Sequence, residues 1–304
     1  MTPFFSIIIA TYNRKVLTAE TIDRILYQTL PDFEVILVDD GSTDGSYEYL
    51  SLRFATDSRV RIIYQENTER GSARNNGIKN ANGLYLVFVD SDDYVDRDHL
   101  KTLHHFILME SYPNFLTCKF NFIENGRITR APIDRLEQGY YDYHLLLEGN
   151  TLGMYSCARR ENKNLILFEA NREYAIFEDW MFHFVNLRHD KIFIIDRTTY
   201  HINNHKERSM RSSHIIINKK IKIAVDWIIS RVSLSTTEIK HIRAFMHYFA
   251  AIHAYADNTL DEAKKELKAA YSIKGANFPY ILLWVKCILG KKILSKLKAV
   301  FGKI

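Results

Sequence analysis

Hydrophobic and polar positions along the first hundred residues follow two alternating patterns. Short, nearly continuous apolar runs of strand length are separated by stretches whose apolar residues recur at helical spacing. The predicted strands are Phe5–Ala10, Phe33–Val38, Val60–Tyr64 and Tyr85–Val89, and the predicted helices are Val16–Gln28, Ser46–Phe54, Ser72–Asn80 and Arg97–Glu110. Strands that alternate with helices at this spacing form βαβ units, so the pattern predicts an α/β fold with a mostly parallel central sheet flanked by helices.

The pattern changes after about residue 110. The pair Asn125-Gly126 is a strong hairpin signal between two further strand candidates. The remaining predicted elements are the strands Asn114–Phe122, Arg127–Ala131, Met154–Arg160 and Ile192–Ile195 and the helix Glu178–Leu187. From about residue 214 only helical patterns occur, including Thr236–Ala256, Leu260–Ile273 and the apolar run Phe278–Leu289. We predict a domain over 1–213, with halves at 1–110 and 111–213, and a helical region over 214–304.

Composition and cysteine usage are those of an ordinary globular protein. The 304 residues are 47% hydrophobic and 25% charged, which is enough chain for one large domain or two modest ones. The three cysteines are widely spaced and match neither a zinc site nor a disulfide framework, so a reducing compartment is expected. The first residues lack the basic segment of a signal peptide, and a cytoplasmic location is therefore expected.

The net charge of +5 is unevenly distributed. Residues 261–304 contain ten lysines and three acidic residues, a charge of +7, which leaves −2 for the rest of the chain. This distribution is not that of a uniformly basic nucleic-acid-binding protein, and no nucleic-acid partner is predicted. Phe278–Leu289, with the five lysines that follow it, fits two interpretations. One is a packed helical subdomain that forms a homodimer, and the other is peripheral contact with the anionic inner leaflet of the cell membrane.

Three carboxylates, Asp90, Asp92 and Asp93, follow the predicted strand Tyr85–Val89. Ligands of open α/β folds bind at the carboxyl ends of the strands. Carboxylates so close together repel one another unless a cation joins them, and hard divalent cations prefer carboxylate oxygens. The segment therefore predicts a metal site beside a nucleotide-type crevice. The alternative is an acidic turn that caps the next helix, a role in which Asp93 is the best candidate.

Five blocks in order resemble the motifs of family 2 glycosyltransferases. The matching segments are Phe5–Arg14, Gln28–Asp44, Gly71–Ile78, Asp90–Asp93 and Glu178–Trp180. The resemblance implies a GT-A fold and an inverting glycosyltransferase that moves a sugar from a nucleotide diphosphate donor, most often UDP-linked. It also implies a glycan or lipid-linked glycan acceptor in surface-polysaccharide synthesis, and Mn2+ or Mg2+ as cofactor. Residues 1–110 would then bind the nucleotide and 111–213 the acceptor.

Candidate site residues follow from the resemblance and from the chemistry of each side chain. Asp179 is the candidate catalytic base, and the candidate metal ligands are Asp92 and His205. The candidate nucleotide-sugar contacts are Thr11, Tyr12, Arg14, Asp40, Asn67, Gly71, Arg74, Asp90 and Ser91. Direct displacement at an anomeric carbon needs one base to take the acceptor proton, and the resemblance gives that role to Asp179. Its place in the first turn of a helix predicts a lowered pKa.

Each candidate also has an alternative that involves only folding. Tyr12 could stack on a pyrimidine or cover the core. The Asp40 carboxylate could accept a bond from uracil or ribose, or it could belong to a helix-capping turn. Arg74 could reach the phosphates or the carboxylates of the Asp90 segment, or it could be an exposed helix residue. Asp179 could cap its helix, and His205 could be an ordinary surface histidine.

Rival enzyme classes lack their own motifs in this chain. The first strand is followed by Ala10–Arg14, where a dehydrogenase would have Gly-x-Gly-x-x-Gly and a nucleotidyltransferase a Gly-rich basic loop. No phosphate-binding loop of the Gly-x-x-x-x-Gly-Lys-Ser/Thr type is present. The remaining alternative is a non-catalytic module of the same fold that binds a sugar nucleotide or a glycan.

Overall fold

The computed structural model describes residues 2–205, 208, 210 and 212–301, without the side chains of 292–301. The chain forms two compact units. The first contains residues 1–146 and 150–206, and the second contains residues 147–149 and 207–304.

The first unit is a sheet of ten strands with helices around it. The strands are β1 (Phe5–Thr11), β2 (Phe33–Asp40), β3 (Val60–Gln65), β4 (Tyr85–Phe88), β5 (Tyr94–Val95), β6 (Phe115–Glu124), β7 (Arg127–Arg130), β8 (Gly139–Tyr141), β9 (Cys157–Arg159) and β10 (Ile192–Asn203). The helices are α1 (Lys15–Leu26), α2 (Ser46–Arg53), α3 (Arg70–Lys79), α4 (His99–Met109) and α5 (Glu178–Leu187). Short 3-10 turns lie at Pro132–Arg135, Tyr143–Leu146 and Arg172–Tyr174.

The strand order is β3-β2-β1-β4-β9-β6-β10-β5, with β7 paired to β6 and β8 to β10. Parallel pairs join β3 to β2, β2 to β1, β1 to β4, and β6 to β10. The predicted α/β fold class is confirmed. β1, β2 and β4 are buried almost throughout, as parallel strands covered on both faces should be, whereas the edge strand β3 is more exposed.

Tertiary pairing changes several predicted strand lengths. β10 continues to Asn203 rather than ending at Ile195, because it pairs with β6 across a register shift at Thr198 where the local sequence is polar. The strand predicted over Met154–Arg160 is only three residues long, and the short strands β5 and β8 were not predicted. The predicted hairpin is confirmed, since Asn125 and Gly126 both have positive φ and join β6 to β7.

The second unit is helical throughout its described elements. They are α6 (His214–Arg231), α7 (Thr236–Ala256), α8 (Leu260–Lys274) and α9 (Phe278–Phe301), which is interrupted at Gly290 with a φ of 70°. Ser235 and Glu238 form a capping box at the start of α7. Small residues of α7 and α8, among them Ala251 and Ala263, are fully buried and allow close packing. None of the described helices has the length and hydropathy required to cross a membrane.

Candidate active site

The carboxylates predicted to bind metal lie directly after β4, at the carboxyl end of a central parallel strand. The backbone N–H of Asp90 donates to the Tyr200 hydroxyl at 3.0 Å, which ties this turn to β10. The ends of β1 and β2 lie beside it in the sheet. This is the edge of an open α/β sheet at which ligands bind.

Arg74 joins three of the sequence blocks through one guanidinium. It is 4% exposed and donates to Asp90 Oδ1 and to Glu178 Oε1, each at 2.9 Å. Its guanidinium also lies 5.4 Å from the centre of the Phe168 ring. Burial opposes its charge, but Asp90, Glu178 and Asp179 outweigh that effect and raise its pKa. Of the alternatives for Arg74, contact with the carboxylates is the one that the structure shows.

Gly71 and Asn75 hold a neighbouring loop segment against α3. The Asn75 side chain donates to the Phe168 carbonyl at 2.8 Å and accepts from the Phe168 N–H at 2.9 Å. A Cβ on Gly71 would lie 2.3 Å from the Glu169 carbonyl oxygen. Gly71 therefore has a packing role, because this glycine permits the close approach of a backbone. Its predicted contact with the nucleotide stays a prediction.

We expect Gly71→Ala to destabilise the fold by about 1–3 kcal/mol, since the new methyl group meets backbone rather than a flexible side chain. Urea unfolding measures the change. Gly126→Ala is the comparison, because that glycine has open space around it and its φ of 75° alone opposes a side chain, at a cost of about 1 kcal/mol. A Gly71→Ala protein as stable as the wild type would contradict the packing role.

Asp92 lies between two basic side chains. Its Oδ2 accepts from Arg14 at 2.7 Å and lies 2.6 Å from His205 Nε2. Asp92 is 7% exposed, so the pair of contacts is well shielded from water. The predicted metal ligands Asp92 and His205 are therefore adjacent, and Arg14 contacts the carboxylate itself.

Asp93 has a structural role that the sequence did not indicate. It is 1% exposed, and its carboxylate accepts from the Asn203 N–H at 2.9 Å and the Tyr155 hydroxyl at 3.2 Å. The expectation that Asp93 caps the next helix is wrong, because α4 begins six residues later at His99. Its contacts hold the Asp90–Asp92 turn against β10.

The arrangement fits a hard divalent cation. Ligand oxygens of Asp90, Asp92 and Asp93 all lie within 4.8 Å of one another. Asp90 and Asp92 offer carboxylate oxygens of the kind that Mn2+ and Mg2+ prefer. His205 contacts Asp92 but is not a member of this group, so its role as a metal ligand stays a prediction. Asp93 fits less well, since its oxygens already accept bonds from β10 and Tyr155.

Asp179 lies in the first turn of α5 and is partly buried. Asn150 donates to its Oδ2 at 2.8 Å, and the N–H of Trp180 donates to its Oδ1 at 2.7 Å. Burial, followed by the charge of the adjacent Glu178, raises the pKa of Asp179 to about 7, against the lowering effect of Arg74. The expected lowering by the helix N-terminus is wrong, because burial and neighbouring carboxylates outweigh it.

The Asp40 carboxylate organises the loop between β3 and α3. It is 3% exposed and accepts from Gln65 at 2.7 Å, from the Thr68 N–H at 2.9 Å and from the Glu69 N–H at 2.8 Å. Glu69 has a φ of 83°, a strained backbone that these bonds hold in place. Asn67 donates to the Asp40 carbonyl at 2.9 Å. Both predicted nucleotide contacts thus shape the loop that leads into Arg74.

The other predicted nucleotide contacts differ in exposure. Tyr12 is 47% exposed, so its ring face is accessible for stacking. Thr11 is 2% exposed and its hydroxyl lies 2.7 Å from that of Thr18, so its side chain faces inward, and its predicted nucleotide contact stays a prediction. Ser91 is 3% exposed, and its predicted nucleotide contact stays a prediction.

Three functional neighbours were not among the predicted site residues. Glu178 was noted only as part of a motif, yet it bonds Arg74 and also lies 3.6 Å from Arg70. Asn150 orients Asp179, and Phe168 packs under Arg74. Only Glu178 carried a sequence signal, its position beside Asp179 in a helix start. Asn150 and Phe168 carried no such signal, because they reach the site only through contacts between residues that are far apart in the chain.

Comparison with known proteins places the chain among glycosyltransferases. Residues 6–160 match the family described as glycosyl transferase family 2. An uncharacterized glycosyltransferase of Haemophilus influenzae is 31% identical over 185 residues, which cover 58% of this chain and 71% of that protein. TuaG of Bacillus subtilis, a putative teichuronic acid biosynthesis glycosyltransferase, is 35% identical over 136 residues, covering 44% of this chain and 52% of TuaG.

Some relatives are much longer than the shared region. EpsJ, an uncharacterized glycosyltransferase of Bacillus subtilis, is 50% identical over 95 residues, which cover 31% of this chain and only 28% of EpsJ. The chain therefore matches less than a third of the length of that relative.

Solved structures show the same fold over most of this chain. TarS 1-349 of S. aureus, in complex with UDP-GlcNAc, aligns with a TM-score of 0.64 at 22% identity, covering 93% of this chain and 79% of that chain. The mannosyltransferase PcManGT of Pyrobaculum calidifontis, in complex with GDP-Man and Mn2+, aligns with a TM-score of 0.62 at 18% identity, covering 100% of this chain and 89% of that chain. At these identities the likeness shows a shared fold, and the predicted GT-A fold is confirmed.

Proposed function

This chain belongs to glycosyl transferase family 2, and from that premise we propose that it transfers a sugar from a UDP-sugar to a glycan or lipid-linked glycan hydroxyl. The transfer inverts the anomeric carbon and serves surface-polysaccharide synthesis. The observation that carries the proposal is the Asp179 carboxylate, which accepts from Asn150 at 2.8 Å and adjoins Glu178, the residue that Arg74 links to Asp90. The process is supported by the name of the relative TuaG.

Asp179 acts as the general base in this proposal. A base is most effective when its pKa lies near the working pH, and a pKa of about 7 meets that condition. Asn150 fixes the direction of the carboxylate through a bond to Oδ2. Inversion needs one such base on the side of the sugar opposite the leaving group. Asp179 removes the proton of the acceptor hydroxyl as that oxygen attacks the anomeric carbon.

The nucleotide side of the site is proposed for residues 1–110, and the acceptor side for 111–213. Tyr12 offers an exposed ring for the base of the nucleotide. Arg74 holds Asp90 and the start of α5 in a fixed relation, so donor and base are aligned by one buried cation. Mn2+ or Mg2+ bound by Asp90, Asp92 and His205 would offset the charge that develops on the diphosphate leaving group.

A nucleotide-sugar panel measured by thermal shift tests the donor site. With Mn2+ present, one UDP-sugar is expected to raise the Tm of the wild type, by an amount that corresponds to about 2.7 kcal/mol at a hundredfold excess over Kd. Asp92→Ala is expected to lose the shift, because it removes a proposed ligand and the partner of Arg14. UDP release in the presence of glycan acceptors then measures transfer.

The control for this panel is Asp98→Ala, which removes an exposed carboxylate six residues away in the chain. The control protein is expected to keep the full metal-dependent shift. A shift that survives in Asp92→Ala, or that needs no metal, would contradict the proposed metal site. A wild type that responds to no nucleotide sugar would contradict the donor proposal.

Two further proposals concern partners. Peripheral contact with the inner membrane leaflet is supported by the lysine-rich end of the sequence. A homodimer through the C-terminal helices is supported by the apolar run Phe278–Leu289. Both proposals involve the same C-terminal helices. The exposed side chains of these helices show which of the two proposals is favoured.

A further inference from the structure

The first part of α9 exposes one continuous row of large apolar side chains, here called the apolar stripe. Its members and their exposed fractions are Phe278 (76%), Ile281 (54%), Leu282 (42%), Val285 (43%) and Ile288 (64%). These positions follow the spacing i, i+3, i+4, i+7, i+10, so they share one face of the helix. The row extends over about 15 Å of helix axis.

The opposite face of the same helix is already packed. Tyr280, Leu283 and Cys287 are buried in the core that α9 shares with α7 and α8. A surface helix of a globular protein normally turns charged or polar residues toward water. This helix is apolar toward the core and apolar toward solvent, and Lys286 is its one charged residue before Gly290. The outer face is therefore built for a second apolar surface.

Charge decides which partner fits this face. Residues 278–304 contain six lysines and no acidic residue. A second copy of α9 placed on the apolar stripe would bring no acidic residue to pair with the lysines of the first, so the two helices have no charge complementarity. An anionic lipid surface offers both an apolar layer for the stripe and negative headgroups for the lysines.

We infer that the apolar stripe inserts into the headgroup region of an anionic membrane, with the part of α9 before Gly290 parallel to the membrane plane. The inference is independent of sugar transfer, since it concerns the helical unit alone and is tested without nucleotide. It favours the membrane proposal and opposes the homodimer through these helices.

Flotation of the full chain with vesicles tests the inference. The wild type is expected to float with phosphatidylcholine vesicles that contain phosphatidylglycerol, and at least tenfold less with phosphatidylcholine alone. The variant with Phe278, Ile281, Val285 and Ile288 all changed to Gln is expected to lose binding to the anionic vesicles at least tenfold. Glutamine is a good helix former, so α9 is expected to persist.

The matched control is the double variant Leu52→Gln and Met109→Gln, which removes exposed apolar side chains from the other unit. This control is expected to float like the wild type. Circular dichroism confirms that each variant is folded. Equal flotation of the wild type and the stripe variant would overturn the inference. So would a wild type that floats with neither vesicle, or a dimer in sedimentation that the stripe variant dissociates.

Discussion

Asp179→Asn is expected to lower kcat by roughly 10²–10⁴-fold while the affinity for UDP-sugar stays within about twofold. The amide has nearly the shape of the carboxylate and keeps one oxygen, which can accept from Asn150 or from the Trp180 N–H but not from both, and it cannot take a proton. Steady-state kinetics with acceptor gives kcat, and calorimetry gives the donor Kd. A variant with full turnover would show that another group is the base.

The pH dependence of the wild type tests the same assignment. The base must be deprotonated, so kcat/KM is expected to rise with pH and to reach a plateau above a midpoint of about 7. The profile is measured from pH 5 to pH 9 with saturating metal. A wild type that binds the donor but transfers nothing at any pH would instead indicate the non-catalytic binding module.

Stability should change in the opposite direction to activity. Because the folded pKa of Asp179 lies above its ordinary value of 3.8, the folded state holds the proton more tightly, and stability falls as pH rises from about 4 through 7. The Asp179→Asn variant has no carboxyl group at this position, so its stability does not fall over this pH range. The variant is therefore expected to have a higher Tm than the wild type at pH 8, and the difference is expected to shrink toward pH 4.

Asp142→Asn is the matched control, and its expected change in Tm at pH 8 has the opposite sign. Burial raises the pKa of Asp142, but bonds from His144 outweigh burial and lower it overall. Ionised Asp142 therefore contributes stability above its unfolded pKa, and the amide is expected to lose a little of it at pH 8. A higher Tm in both variants at pH 8 would contradict the pKa argument for Asp179.

Arg74→Met is expected to destabilise the protein by about 3–5 kcal/mol, because it removes the cation that bonds the buried Glu178 carboxylate and the partly buried Asp90 carboxylate. For a chain of this size such a loss lowers the Tm by on the order of 10 °C. Turnover is expected to fall further than stability alone explains, since the donor turn and the start of α5 lose their common anchor. Urea unfolding and kinetics below the transition measure the two effects.

Arg70→Met provides the control for this prediction. Arg70 lies 3.6 Å from the same Glu178, but its side chain is 36% exposed, so the pair is expected to contribute less than about 1 kcal/mol. Arg74→Lys is the conservative variant. A single ammonium cannot bond both carboxylates in the geometry of a guanidinium, so we expect only partial recovery. Equal losses for Arg70→Met and Arg74→Met would contradict the anchoring role.

Local patterns in the sequence were sufficient for the order of most elements. The apolar runs of β1, β2 and β4 are buried on both faces, and α5 and α7 begin and end where their periodicity predicts. Motif resemblance was sufficient for the family and the fold. It also placed Asp92 near His205, although these residues are more than a hundred positions apart.

These local patterns could not predict contacts between residues that are far apart in the sequence. The strand β10 was predicted too short, because pairing with β6 carries it through polar residues that do not look like a strand. Thr11 and Asp93 looked like crevice residues, yet both side chains face inward. The pKa of Asp179 had the wrong predicted direction, because burial and Glu178 exceed the helix dipole.

The sequence by itself determined the α/β order of elements, the family, and the residue types at the ends of the strands, because these depend on periodicity and short motifs. Only the tertiary structure decided that Arg74 joins Asp90 to Glu178, that Asn150 orients Asp179, and that the apolar stripe of α9 faces solvent. Burial, pKa and side-chain pairing depend on which distant segments meet, and that is a property of the whole fold rather than of any local pattern.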